Sequence, residues 1–279
     1  MKISIVIPVY NEAERLADCL NSIAAQTRMP DEVIVVDNNS IDSSVAIAES
    51  FDFVTLLSET KQGVVYARNT GFSAVKGDLI GRIDADTILP VDWVQNAINI
   101  MSETDLDAVS GSTHYYDFAL PSLANMIDKN LRGWLAQKLN NNLFLWGANM
   151  VIRKSAWIQI KSKLCSNHGE HEDLDLALHL QDAGLRVVYK QELLALTSCR
   201  RIDMNPIGYF KYSLAGPRTY ASHNKKSRLF MYPVITFCWL VYFPGRIIYR
   251  AYDHESKTWS IINLLKQSQS RVDPTIELG

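Results

Sequence analysis

Residues 3–42 read ISIVIPVYNEAERLADCLNSIAAQTRMPDEVIVVDNNSID, and the order of patterns within them decides the fold. Ile3–Ile7 is a run of β-branched residues closed by Pro8, the form of a buried strand. Asn11 with Glu14 three residues later has the form of a capping box. Leu16, Cys19, Leu20 and Ile23 follow at helical spacing, which predicts a helix to about Thr27. Val33–Val36 is the next strand. Outward from there the unit repeats as a helix after Asp42, a strand over Phe53–Leu57, a helix over Val64–Val75 and a strand over Leu79–Ile83. Strands alternating with helices imply an α/β fold, with a mostly parallel sheet and right-handed crossovers. Ligands of such sheets bind beyond the carboxyl ends of the strands, so Pro8–Glu12, Asp37–Asp42 and Asp84–Asp86 become the first candidates for a site.

Beyond Asp105 the pattern loosens. It predicts strands at Ala108–Thr113 and around Ala148–Ile152, a helix near Asp173–Ala183 ended by Gly184, and a last strand at Val187–Tyr189. At 279 residues the chain is long enough for one elaborated domain, and 47% hydrophobic with 21% charged residues is a globular composition. The formal charge of −2 supplies no global basic field, which argues against a nucleic-acid partner. Cys19, Cys165, Cys199 and Cys238 are far apart with no zinc-site spacing, which fits a reducing compartment. The start, MKISIVIPVY, lacks the longer apolar stretch and cleavage site of a signal peptide, so a cytoplasmic protein is expected.

The C-terminal third changes character. Between Arg200 and Arg228 there are seven basic residues and one acid, Asp203, and an uncharged apolar stretch, Leu229–Gly245, follows. As a helix its 17 residues would reach about 26 Å at ~1.5 Å per residue, short of a hydrocarbon core of about 30 Å. With Arg246 and Arg250 beyond it, the segment 229–249 suits attachment to an anionic bilayer surface by shallow burial of Phe237, Trp239, Tyr242 and Phe243. A buried core helix, or a helix packed on a partner, is the alternative. The expected location is therefore the cytoplasm, at the inner face of the cell membrane if the segment is used that way.

Three Asp-x-Asp pairs occur, at Asp84–Asp86, Asp105–Asp107 and Asp173–Asp175. Such a pair suits Mg²⁺ or Mn²⁺ on a diphosphate, because these ions take hard oxygen ligands from one or two carboxylates plus phosphate. Position separates the three. Asp84 and Asp86 directly follow a strand and, in extended backbone, project to one side, whereas Asp105–Asp107 sits in a polar turn. Asp37 can accept hydrogen bonds from a base or ribose, and Asp37–Ser40 is equally the composition of a turn. Asp173 can cap a helix or act as a general base, and a helix N-terminus favours its ionised form.

Together these residues resemble the family 2 glycosyltransferases, which have the GT-A fold, a Rossmann-like sheet flanked by helices. The resemblance runs from about Lys2 to Arg201, through IVIPVYNE at 5–12, VIVVDNNSID at 33–42, GVVYARNTG at 63–71, GDLIGRIDADTILPVDW at 77–93, WGANMVIRKSAW at 146–157 and HEDLDLALHL at 171–180. It implies a catalytic domain over 1–201 and a helical, apolar extension over 202–279. The implied reaction is inverting transfer from a nucleotide-diphosphate sugar, most often a UDP-sugar, assisted by Mg²⁺ or Mn²⁺. Pro8, Tyr10, Glu12 and Asp37 would line the nucleoside pocket with Arg68 near the donor. Asp84 would face the ribose and metal region and Asp86 would ligate the metal. Asp173 would be the catalytic base, with Glu172 the fallback, and Trp146, Gly147 and Asn149 would border the sugar and acceptor.

The second motif reads DNNSID where many members have DDGSTD, which keeps Asp37 and Asp42 but loosens the roles of Asn38 and Asn39. The Gln-x-x-Arg-Trp motif of the processive synthases is missing, so transfer of a single sugar is expected, to a hydroxyl of a glycan or lipid-linked acceptor. Sugar, acceptor and linkage would be set by loops, chiefly 114–145 and 202–228. The rival readings are a polyprenyl-phosphate glycosyltransferase and a nucleotide-sugar-binding protein without turnover. A nicotinamide dehydrogenase is set aside, because the first strand leads to PVYNEAE and not to a GxGxxG turn.

Overall fold

A computed structural model describes residues 1–102, 105–139, 145–164, 169–253 and 256–265. Cys165, residues 140–144 of the expected loop 114–145, and 266–279 of the expected extension lie outside the described residues. The chain divides into two compact units. The first comprises Met1–Thr113, Arg132–Ser166 and Glu172–Thr197, and the second His114–Leu131, Asn167–His171 and Ser198–Gly279.

The first unit is built on the strands β1 (Ile3–Val9), β2 (Glu32–Asp37), β3 (Val54–Ser58), β4 (Leu79–Arg82), β5 (Thr87–Ile88), β6 (Ala108–Tyr115), β7 (Met150–Arg153) and β8 (Val187–Thr197). They form one sheet in the order β3-β2-β1-β4-β7-β6-β8-β5. The β1–β2, β2–β3 and β1–β4 pairs are parallel, whereas β7 runs antiparallel to both β4 and β6, and β5 antiparallel to β8. The expected α/β fold is present, and the sheet is mixed: parallel from β3 through β4, then antiparallel. Register aligns the ends that matter. Val9 is opposite Asp37, Asp37 opposite Ser58, and Val6 opposite Arg82, so the segments after β1, β2 and β4 emerge along one edge.

Of the parallel strands β1, β2 and β4 are buried on both faces, as their apolar runs require, whereas β3 at the sheet edge is only partly buried. Ile3, Ile5, Ile7, Val33 and Val35 face helices α1 (Leu16–Ala24), α2 (Ser44–Glu49) and α4 (Trp93–Ser102). Val6, Ile34, Val36 and Ile80 face α3 (Val64–Ala74), α6 (Lys154–Ile160) and α7 (Glu172–Asp182). Between them in sequence, α5 spans Pro121–Leu139, where a loop was expected.

Several local expectations are corrected. Asn11 caps no helix: it adopts φ 52°, and its Oδ1 accepts from the Ile41 amide at 2.8 Å. Helix α1 begins five residues later, after the Glu12 carbonyl accepts the Arg15 and Leu16 amides, and it ends at Ala24 rather than Thr27. Strand β8 runs eleven residues instead of three, because alternation of Leu193, Ala195 and Thr197 into the core continues after the polar Lys190–Glu192. Gly184 does end α7, in the left-handed conformation at φ 77°.

In the second unit, a 3-10 turn at Arg200–Asp203 precedes α8 (Pro206–Ser213), α9 (Ala215–Ser222) and α10 (Ser227–Ala251). The expected loop 202–228 is therefore largely helical. Asn205 caps α8, accepting from the Gly208 amide at 2.8 Å with Pro206 at the first helical position. Helix α10 has 25 residues rather than 17, continuing through Pro233 and Pro244, and is long and apolar enough to cross a membrane by length and composition. Arg201 stacks its guanidinium over the Tyr212 ring, 4.2 Å from the centroid. Cys19, Cys199 and Cys238 are all free thiols.

The second half of the sheet depends on one side chain. Asn149, fully buried, donates through Nδ2 to the carbonyls of Ser112 and Leu193, both at 2.7 Å, and its Oδ1 accepts from Trp93 Nε1 at 2.9 Å. It thereby joins β6, β8 and α4 just ahead of β7. Asn149→Ala should leave three buried polar groups without partners and cost about 3 kcal/mol, read by urea denaturation.

Candidate active site

The site is assembled at the edge where β1, β2 and β4 end. Pro8 lies in β1 opposite Val36, Tyr10 is half-buried just beyond the strand, and Glu12 is buried ahead of α1. The first two loops are stitched together. Asn11 N–H donates to Ser40 Oγ at 3.0 Å, Glu12 N–H to Ser44 Oγ at 2.8 Å, and Ala13 N–H to Asp42 Oδ2 at 3.0 Å. Asp42's carboxyl lies below its ordinary range: partial burial opposes this, and hydrogen bonds from the Ser44 hydroxyl and the Ala13 and Ser44 amides prevail. Asp37 ends β2 with its carboxylate mostly buried and Oδ1 3.3 Å from the Ser40 amide.

The two asparagines after Asp37 hold the turn. Asn38 Nδ2 donates to the carbonyls of Glu59 and Lys61 at 2.8 Å, and its Oδ1 accepts from the Gly63 amide at 2.7 Å. Asn39, at φ 65°, donates to the Thr60 carbonyl at 2.9 Å. The departure DNNSID thus brings in amides that clamp the 59–63 segment, while Asp37 keeps its place at the edge.

Asp84 and Asp86 follow β4, but not in extended backbone. The strand ends at Arg82, and a turn closed by the Thr87 amide on the Asp84 carbonyl at 3.0 Å carries the chain into β5. Ile83 and Ala85 are buried in the core. Under this turn lies Cys19, whose thiol donates to the Asp84 carbonyl at 3.7 Å. Burial pushes that thiol far up, and the negative charges of Asp86, Asp84 and Glu12 push it further. A set of carboxylate oxygens is the hard donor chemistry that Mg²⁺ and Mn²⁺ take. Asp84 Oδ1 also meets Arg82 Nη2 at 3.0 Å, whereas Asp86 sits at the apex of the turn, 5% exposed. The residues fit a divalent cation held by Asp86 with Asp84 beside it.

The other Asp-x-Asp pairs are accounted for otherwise. Asp107 accepts from the Arg186 amide at 2.8 Å and holds a turn. Asp175, buried in α7, pairs with His179 Nε2 at 3.4 Å.

Arg82 itself was absent from the sequence-based candidates and is central. It occupies the last position of β4, 3% exposed, and its Nη2 reaches both Asp84 Oδ1 and, at 3.1 Å, Glu172 Oε1. The second Glu172 oxygen meets Nη1 of Arg68 at 2.5 Å, and the same nitrogen donates to the Glu172 carbonyl at 2.8 Å. Arg68 is fully buried. Burial pulls its guanidinium below the ordinary value, Glu172 opposes that, and the neighbouring Arg82 adds to it. Arg68, expected near the donor, gives hydrogen bonds to Asn69 and to the start of α7. A charged residue ending an otherwise apolar strand, LIGR, was the signal that could have found Arg82, since buried arginines are rare unless paired.

Glu172 and Asp173 open α7 and point to different partners. Glu172 is clasped by the two guanidiniums. Asp173, half-buried, accepts from the Gly147 amide at 3.1 Å and from the Leu174 amide at 2.8 Å. Its desolvated setting raises the carboxyl above its ordinary value, against the downward pull of Arg82 and of those two amides. Gly147 is required where it stands: a Cβ there would lie 1.3 Å from Arg82 Nη1. Of the other two expected sugar-side residues, Asn149 is committed to the sheet as described. Trp146 has one indole face covered by the Arg132 guanidinium, 3.4 Å from the ring centroid, so that face cannot stack on a sugar.

Residues 4–160 match the model of the family described as Glycosyl transferase family 2. The chain belongs to this family. It is 34% identical over 179 residues to the glycosyltransferase GlyG of Streptococcus pneumoniae serotype 4, covering 57% of this chain and 58% of that protein. It is 35% identical over 120 residues to the glycosyltransferase AglE of Haloferax volcanii, covering 40% of each. The chain thus spans about half the length of these curated relatives. Among solved structures it is similar to the mannosyltransferase PcManGT from Pyrobaculum calidifontis in complex with GDP-Man and Mn²⁺, at 18% identity and TM-score 0.65, covering 95% of this chain and 77% of that one. A second is S. aureus TarS 1-349 in complex with UDP-GlcNAc, at 16% identity and TM-score 0.57, covering 71% of this chain and 58% of that one. These likenesses establish the GT-A-like fold.

The two acids at the start of α7 are separable by stability. Glu172→Ala leaves two buried guanidiniums short of their shared counter-charge and should cost about 3 kcal/mol. For Asp173 the sign is opposite. Folding raises its pKa, so the protonated form's contribution is full below the unfolded carboxylate value and is lost as pH rises through the folded one. Asp173→Asn should therefore leave Tm at neutral pH unchanged or higher. Thermal melts of both variants check this.

Proposed function

We propose that the protein transfers a single sugar from a nucleotide-diphosphate sugar, a UDP-sugar first among donors, to a hydroxyl of a glycan or lipid-linked acceptor, with inversion at the anomeric carbon. One observation supports the reading most: a single arginine, Arg82, contacts Asp84 of the acidic turn and Glu172 next to Asp173, and packs against Gly147, whose amide donates to Asp173. The family membership and the nucleotide-sugar complexes of the similar structures support it.

On this reading Asp37 accepts hydrogen bonds from the nucleoside at the end of β2, with Pro8, Tyr10 and Glu12 alongside. Asp86, assisted by Asp84, would hold Mg²⁺ or Mn²⁺. Bound there, the cation supplies positive charge that offsets the charge developing on the departing diphosphate. Asp173 takes the proton from the acceptor hydroxyl as its oxygen forms the new bond to the anomeric carbon, while the bond to the diphosphate oxygen breaks on the opposite face. One displacement inverts the configuration. The Gly147 amide holds the carboxylate in place for this. Glu172 is unsuited to the role because both its oxygens are engaged by arginine, so Arg68, Arg82 and Glu172 act as positioning residues.

The test is release of the nucleoside diphosphate from a panel of nucleotide sugars, including UDP-GlcNAc and GDP-mannose, with Mn²⁺ or EDTA and a lipid extract as acceptor source. Turnover should vanish with EDTA and with Asp86→Ala, and fall by about a thousandfold in Asp173→Asn without loss of nucleotide binding by calorimetry. Binding without turnover in the wild type would leave a nucleotide-sugar-binding protein. Neither binding nor turnover would overturn the assignment.

The pH profile provides a separate check. Because Asp173 must be ionised to accept the proton and its pKa is raised, the acid limb of kcat/KM should lie above the ordinary carboxylate range, with activity lost as pH falls through it. The limb is absent from the residual activity of Asp173→Asn.

A further inference from the structure

Helix α10 carries an unpartnered face. Leu229, Tyr232, Pro233, Thr236, Phe237, Leu240, Phe243, Pro244 and Ile247 are all exposed. At ~100° per residue they fall within an arc of about 140°, so they form one stripe some ~27 Å long. The stripe carries no charge, and of its two hydroxyls that of Thr236 donates to the Tyr232 carbonyl at 3.0 Å while the other is the phenol tip of the exposed Tyr232. Leu240 is 71% exposed and Ile247 58%, an arrangement that costs free energy in water. Helix α8 widens the patch: Ile207 and Phe210 are exposed, and the Phe210 ring packs on Trp239, which in turn packs on Phe243.

The opposite face of α10 is fastened to the 3-10 turn of its own unit. Tyr242 Oη donates to the Met204 carbonyl at 2.6 Å, and Gly245 lets Ile202 approach so closely that a Cβ would lie 2.5 Å from its Cδ1. Arg246 and Arg250 both reach the buried Asp203 carboxylate, at 3.7 and 3.4 Å. A helix crossing a bilayer would carry this ion cluster and its attached turn into hydrocarbon, where charges are costly. Only one face is available to lipid.

Charge selects the occupant. From Ser198 to Asp253 there are nine lysines and arginines against two acids, Asp203 and Asp253. Lys226 and Arg228 are exposed immediately before Leu229, and Lys211 is exposed immediately after Phe210. Basic residues bordering an uncharged aromatic and aliphatic stripe match a surface of anionic headgroups over acyl chains.

We propose that α10 lies in the plane of an anionic membrane, with the Leu229–Ile247 stripe immersed and the Asp203-bound face turned to the protein, and that it does not span. This holds whether or not the first unit turns over a nucleotide sugar, because its readout needs no substrate. The full-length protein should sediment with vesicles of equimolar phosphatidylglycerol and phosphatidylcholine, and much less with phosphatidylcholine alone. Leu240→Glu combined with Phe243→Glu, both at exposed positions, should lower partitioning about tenfold with an unchanged thermal melt. Lys226→Glu combined with Arg228→Glu should lower it by about tenfold on anionic vesicles only. High salt or alkaline carbonate should release the wild type. Failure to sediment, or undiminished binding of both double variants, would overturn the proposal. So would carbonate resistance with protease protection, which would mean a spanning helix. A dimer dissolved by Leu240→Glu, with the wild type staying off vesicles, would assign the face to a second copy.

Discussion

The carboxylate of Glu172, held between the guanidiniums of Arg68 and Arg82, is the contact on which the site depends. Its three residues come from α3, α7 and the end of β4, elements on the sheet and on one of its covering layers. Two cations excluded from water would be prohibitively unfavourable alone. Glu172 and Asp84 match them charge for charge, and the Glu172 carbonyl takes a further donor from Arg68. Removing any one member leaves an uncompensated buried charge, so the network enforces its own geometry. That geometry fixes where α7 starts, and Asp173 is therefore placed without contributing to the ion pairs itself.

Gly147 explains how so much charge is accommodated so close to a second functional group. The Arg82 guanidinium occupies the volume a side chain would take at that position, and the same glycine's N–H is turned to Asp173. The backbone thus presents a neutral donor to the carboxylate at the point of closest approach, in place of a third cation. An amide steadies a carboxylate without lowering its basicity as far as a direct guanidinium pair would. This separates the two acids of α7: the one with two arginines is a strut, and the one facing an amide keeps a raised pKa.

Much of the fold could be read from residues 3–88, because parallel strands buried on both faces leave unbroken apolar runs bounded by turn residues. The failures have local causes. Asn11 and Glu14 satisfy the spacing of a capping box, but Asn11 is drawn into left-handed backbone by its bond to Ile41, a partner thirty residues away. The 17-residue length given to the apolar C-terminal helix came from stopping at charge. Arg246 and Arg250 continue α10 because both find Asp203 across the turn, and no pattern in the helix's own residues encodes that. Within the site, the edge position of Asp37 and of Asp84–Asp86 was legible from strand ends alone. For Arg68 and Asn149 the bonds they make were not legible, since a buried polar residue's partners are set by tertiary contacts.

The three Asp-x-Asp pairs show why a motif needs its backbone to be interpreted. All six carboxylates have the same chemistry, and what distinguishes them is which groups already occupy their oxygens. Asp107 holds the Arg186 amide and Asp175 pairs with His179, whereas Asp84 pairs with Arg82. Asp173 is turned to two amides. In the Asp84–Asp86 turn one carboxylate, Asp84, meets Arg82 and the other, Asp86, is enclosed at the apex. A carboxylate so enclosed, with a second beside it, has the hard oxygen chemistry that a divalent cation takes.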